Sequence, residues 1–147
     1  RQMSEPAPQT PYEILGDDGI RALCKAFYEA MDELQEATEI RHMHAEDLNP
    51  MRSKLAAFLT GWMGGPPVYL ALTGTVCLTA PHAPYGIGPR QRDQWLMCME
   101  QALRRIGATD ELKAMLKEPM FHIADTVRNR DTSDPKPRDP NIIAVGR

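Results

Sequence analysis

One histidine stands in a proline-rich break between two helical patterns. Residues 64–89 read GGPPVYLALTGTVCLTAPHAPYGIGP, and His82 is the only histidine among them. An amphipathic run carrying Trp95 follows at once. A histidine on a stiff, irregular segment beside an apolar helix presents one imidazole nitrogen to an apolar cleft. That is the arrangement by which a protein holds haem iron from one side. Taken without its surroundings, a lone loop histidine is a surface residue, so the neighbouring elements decide between the two readings.

The cysteines offer no competing metal chemistry. Cys24, Cys77 and Cys98 are odd in number, widely spaced and form no C-x-x-C pair. That disfavours a disulfide framework or structural zinc and fits a reducing, cytoplasmic compartment. Cys24 and Cys98 fall within apolar helical patterns and read as small core residues. The 147 residues suffice for one domain with a core. Seventeen basic against twenty acidic residues leave a net charge of −3, without the basic excess that a nucleic-acid surface needs. No apolar run reaches the ~18–20 residues of a membrane span. Met3 is followed by polar, Pro-rich sequence rather than by a signal peptide.

The elements that must position His82 and Trp95 are helical. Ile20, Leu23, Phe27, Met31 and Leu34 recur at three and four, one stripe of a helix over 18–34 with Asp17 or Asp18 to cap it. A short polar helical turn is predicted over 35–41. Asn49-Pro50 reads as an N-cap followed by Pro at the first helical position. The helix it opens carries Met51, Leu55, Phe58, Leu59 and Trp62 and ends at the Gly64-Gly65-Pro66-Pro67 run. Residues 68–88 are weakly patterned, and no partner strand exists elsewhere to make a sheet. Gly88-Pro89 starts the clearest helix, with Trp95, Met99, Ala102, Leu103 and Ile106 on one face and Gly107 as its stop. A last helix is predicted from Thr109 or Asp110 to Arg128, kinked or split at Pro119.

The expected organisation is a flexible segment over 1–10, one all-α domain over 11–130 and a Pro-rich, disordered tail over 131–147. Ile142, Ile143 and Val145 are the tail residues able to dock locally. The domain has four main helices and one long irregular connection, and connections of that length are usually functional.

Several motifs occur together and in order over most of the chain. They are FY at 27–28, HAEDL at 44–48, FLTGWMGGPPVY at 58–69, PHAPYGIG at 81–88 and RDQWLMCM at 92–99. With these the chain resembles the group II truncated haemoglobins. The resemblance implies a shortened globin, a two-over-two helical sandwich around haem b (iron protoporphyrin IX), with a largely irregular loop in place of the usual proximal helix. It makes His82 the proximal iron ligand, whose second ring nitrogen must donate to a carbonyl or water to fix the tautomer. Tyr28 and Trp95 match the distal donors that hold a bound ligand. His44 matches a distal-side position that is often aromatic in the family. Its imidazole is a candidate to join the Tyr28 network or to bind iron itself when no gas is present.

The remaining cofactor-binding positions follow from the same resemblance. Met51 and Leu55 match the distal-helix positions that face the ligand, and both are apolar; Met51 is also a minor candidate for a thioether ligand. Phe58 and Leu59 pack against the porphyrin edge or the core, and Ile87 and Met99 complete the cofactor-binding set. Lys54 matches a basic position for a haem propionate. The proximal side departs from the family pattern. Pro81 and Thr79 stand where arginines are usual, leaving Arg52 or Arg90 as candidate replacements, and Tyr85 replaces a frequent phenylalanine.

The expected function is reversible binding of dioxygen and of other diatomic gases, nitric oxide and carbon monoxide, with tight, slow release rather than transport. A reductase or other electron donor is the expected partner, and the expected state is a monomer or weak dimer. Nitric oxide oxidation and peroxidase-like chemistry are the enzymatic alternatives. A gas sensor working through the tail and a non-haem helical interaction module are the others. His44, Tyr28 and His42 are the candidate sixth ligands of the resting iron.

Overall fold

The computed structural model describes residues 9–133. The first eight residues and those from 134 on, including Ile142, Ile143 and Val145, lie outside the described residues. Seven α-helices occur among those described: α1 (Pro11–Glu33), α2 (Thr38–His42), α3 (Asn49–Trp62), α4 (Val68–Thr73), α5 (Thr79–His82), α6 (Pro89–Arg105) and α7 (Asp110–Thr126). A 3₁₀ turn, Gln35–Ala37, leads into α2, and the described residues contain no strand. None of these helices is long and apolar enough to cross a membrane.

The first helix starts earlier than its apolar stripe suggests. Thr10, placed by sequence in the flexible segment, forms a capping box with Glu13. Its hydroxyl accepts from the Glu13 amide at 3.1 Å, and the Glu13 carboxylate accepts from the Thr10 amide at 2.8 Å. Gly16, at φ 68°, interrupts the helical backbone and lets the chain turn before the stripe begins. Asp17 there accepts from the Tyr12 hydroxyl at 3.0 Å. Beyond the kink, Ile20, Leu23, Phe27 and Met31 are buried as the spacing predicted.

The α3 cap also differs from expectation. Asn49 is the first helical residue rather than the cap, and its amide donates to the Asp47 carboxylate at 3.0 Å. Both stops hold. After α3, the Gly64 amide bonds the Gly61 carbonyl and the Gly65 amide bonds that of Thr60. After α6, Gly107 and Ala108 bond Arg104 and Leu103 in the same way. Each is the paired closure that a left-handed glycine allows, with φ 103° at Gly64 and 74° at Gly107. Pro119 does not split α7. Leu116 and Met120 are both buried, and their packing carries the helix across the missing hydrogen bond. The 68–88 connection is less irregular than expected, since it contains α4 and α5.

The main helices form two pairs. Helix α1 packs on α3, α6 packs on α7, and α1 crosses to α6. The core between the pairs includes Phe27, Leu59, Met99, Leu112 and Leu116. Cys24 and Cys98 are buried in it, and burial pushes their thiols up to about 12 and about 11. One stretch of the fold lacks such anchorage: no residue from 64 to 86, α4 and α5 included, is buried.

Candidate functional site

A cavity of about 460 Å³ opens between α3, the α4–α5 segment, α6 and α7. That size is typical of cofactor sites. Ten of the eleven residues proposed from sequence line it: Tyr28, His44, Met51, Lys54, Leu55, Phe58, His82, Tyr85, Ile87 and Trp95. Met99 is the exception. It lies one turn beyond Trp95, buried in the core, and does not reach the cavity.

The two histidines at the cavity are each fixed by one hydrogen bond. His82 ends α5, where its Nδ1 lies 2.5 Å from the Leu78 carbonyl. A carbonyl only accepts, so Nδ1 carries the proton. In the neutral ring Nε2 therefore has the free lone pair. His44 shows the same pattern, with Nδ1 2.7 Å from the Ile40 carbonyl. Burial holds the His44 pKa below the ordinary imidazole value, and the positive charge of Arg41 acts in the same direction against the Ile40 bond. His44 is thus a neutral acceptor at Nε2.

Tyr28 follows Phe27 on α1. With Phe27 turned into the core, its neighbour turns toward the cavity. The Phe27 ring meets Tyr28 edge-on at 4.9 Å and Trp95 at a tilt at 5.2 Å, so one core residue braces both donors. His44 packs edge-on against Tyr28 at 5.8 Å. Burial raises the Tyr28 pKa, with Cys24 adding to it, so the phenol keeps its proton. Among the described residues nothing accepts from the Tyr28 hydroxyl or the Trp95 indole.

The cations are arranged differently from the sequence reading. Arg52 and Arg90 do not line the cavity. The Arg90 guanidinium instead grips Glu39 through two bonds of 2.6 and 2.8 Å. Lys54 lines the cavity as expected, and it is joined by Arg92, which the sequence reading passed over. Arg92 bonds Asp125 at 3.0 Å and Asp93 at 2.9 Å and covers the Phe121 ring at 4.9 Å. His42, a candidate sixth ligand, is exposed on α2 away from the cavity. Sequence reasoning also missed Tyr69, Cys77, Gln91 and the α7 face of Ile123, Ala124 and Val127. Ile123 and Val127 follow the helical spacing of Leu112 and Leu116, but period alone cannot separate a core wall from a cavity wall.

The bacterial-like globin profile matches residues 10–129. The chain belongs to the bacterial-like globins, in the group II truncated branch. This globin is 32% identical over 106 residues to the group 2 truncated haemoglobin YjbI of Bacillus subtilis, covering 72% of this chain and 78% of that one. Among solved structures it matches the group II 2-on-2 haemoglobin of Agrobacterium tumefaciens at 36% identity and a TM-score of 0.78. That match covers 86% of this globin and 98% of the other chain. The cold-adapted truncated haemoglobin of Pseudoalteromonas haloplanktis TAC125 matches at 34% identity and 0.79, over 83% and 99%. The two helix pairs are therefore the two-on-two sandwich of a truncated globin, and membership implies haem-based gas binding. The globin's own cavity fits that group: mostly apolar walls, a bare imidazole nitrogen, and two cations, Lys54 and Arg92, in its lining.

His44 also predicts a pH dependence of stability. Its folded pKa lies below the unfolded value, so the unfolded chain takes up a proton that the native chain refuses. In haem-free protein its contribution should be intact above the ordinary imidazole pKa of about 6.5 and be lost as pH falls from there toward the folded pKa. Melting temperatures down that range should drop less in His44→Phe than in wild type. Parallel curves for the two proteins would remove His44 as the cause.

Proposed function

We propose that this chain binds haem b through His82 and holds dioxygen tightly, releasing it slowly. Haem supplies a ferrous iron that takes a diatomic gas reversibly. The observation that carries the reading is that unspent groups of complementary kinds line one cavity. His82 offers a neutral Nε2 lone pair because Nδ1 is committed to Leu78. Tyr28 and Trp95 offer donors with no partner among the described residues, matched to a ligand that gains negative charge on binding. Met51, Leu55 and Phe58 line the same space without polar groups and limit the entry of water. Lys54 and Arg92 are the cations that would meet the propionates. Neutral His44 accepts rather than donates, so it orients or competes for the Tyr28 proton and does not itself stabilise an anionic ligand.

Keeping the iron ferrous calls for an external electron donor, and the expected partner is a reductase. The test is optical titration of the full chain with haem, then reduction and addition of carbon monoxide. The expected result is a sharp haem band at one haem per chain that converts to a ferrous-carbonyl spectrum. A spectrum like that of free haem would leave a globin scaffold without its gas chemistry and favour a helical interaction module.

A further inference from the structure

We infer that Asn129, just beyond the end of α7, is a positioning residue for the His82 imidazole. The inference rests on His82 being the iron ligand. Hydrophobic burial does not place that histidine, because no residue from 64 to 86 is buried and the next one that is buried is Ile87. Helix α5 has only four residues, too few to hold itself, and its terminal carbonyls need partners.

Asn129 supplies them from across the fold. Its Nδ2 donates to the His82 carbonyl at 3.2 Å and to the Tyr85 carbonyl at 2.7 Å. Its Oδ1 accepts from the Ile87 amide at 2.9 Å, and its own amide donates to the Ile87 carbonyl at 2.8 Å. One residue thereby ties the loop at three points, from the histidine to the first buried anchor.

The strap beyond Asn129 continues the hold. Ser133 accepts from the Arg90 amide at 2.7 Å and donates to Gln91 at 3.0 Å. A Cβ at Gly88 would lie 2.8 Å from the Ser133 Cα, so the strap requires glycine there for close approach. The Leu78 carbonyl sets the ring's tautomer, and Asn129 sets where the backbone carrying that ring stands.

Asn129→Ala and Asn129→Asp test this in the full chain with haem bound. The aspartate keeps the size but turns two donors into acceptors facing carbonyls, so it remains informative if the alanine variant does not fold. The readouts are the iron–histidine stretching band of the ferrous, ligand-free protein and hydrogen exchange at the Tyr85 amide. That amide bonds the His82 carbonyl rather than Asn129. Both variants should shift and broaden the band and speed Tyr85 exchange by roughly three- to thirtyfold, the worth of one to two such bonds. Thr126→Val removes an α7 bond to the His122 carbonyl that does not touch the loop, and it should change neither readout. A wild-type band that stays unshifted in both variants overturns the positioning role while His82 stands. Absence of the band from wild type overturns the ligand reading, and the inference with it.

Discussion

His82→Ala should abolish the histidine-type haem spectrum and weaken haem retention severely. Removing only a hydrogen bond that supports a metal-ligating histidine costs ~10–100-fold in affinity. Loss of the ligand itself should exceed that. The geometry makes the expectation specific. The imidazole's Nδ1 is bound to Leu78, so the lost atom is a single free nitrogen at the cavity wall. Exogenous imidazole should therefore restore much of the wild-type spectrum by filling the vacated space. Competition by His44 is the built-in control, since its Nε2 is the other bare imidazole nitrogen at the cavity. If the alanine variant kept the wild-type spectrum, and His44→Ala lost it, the two histidines would exchange roles.

The second large effect belongs to the distal donors. Tyr28→Phe combined with Trp95→Phe should accelerate oxygen release by about 100-fold or more. Hydrogen bonds to charged acceptors are worth ~1.5–3 kcal/mol, and 1.4 kcal/mol is a factor of ten. Both rings touch Phe27, so the single effects should not add. The fold should tolerate Tyr28→Phe well, because the hydroxyl has no partner among the described residues whose loss would leave a buried group unpaired. Stopped-flow displacement of oxygen by carbon monoxide measures the rate. Rates equal to wild type in the double variant would assign the donors to packing alone.

How much of this was legible follows from the physics of each element. The stripe of Ile20, Leu23, Phe27 and Met31 and the stop at Gly107 depend on local periodicity and backbone preference, so they could be read directly. The early start of α1 was missed because its signal is only the Thr10–Glu13 capping box with Pro11 at the first turn, and the apolar stripe begins beyond the Gly16 kink. Arg92 was missed for a related reason. Nothing local separates it from Arg90 two residues earlier, yet Arg90 turns to Glu39 while Arg92 lines the cavity beside Asp125. Met99 followed the Trp95 stripe correctly into the protein, but the stripe passes from cavity to core within one turn.

By itself the sequence determined the helical class, most of the helix positions, the family resemblance and nearly all of the candidate site residues. Those are properties of residue type, spacing and motif order. Only the tertiary structure decided which cations face the cavity, which nitrogen of His82 and His44 is free, and what holds the His82 loop in place. Each of those depends on a partner far along the chain or on a carbonyl whose direction is set by packing. The contact between Asn129 and the His82 loop, 47 residues apart, is the clearest case. It arises because a segment that buries none of its residues must be held by hydrogen bonds, and the end of α7 is where the fold brings the donors.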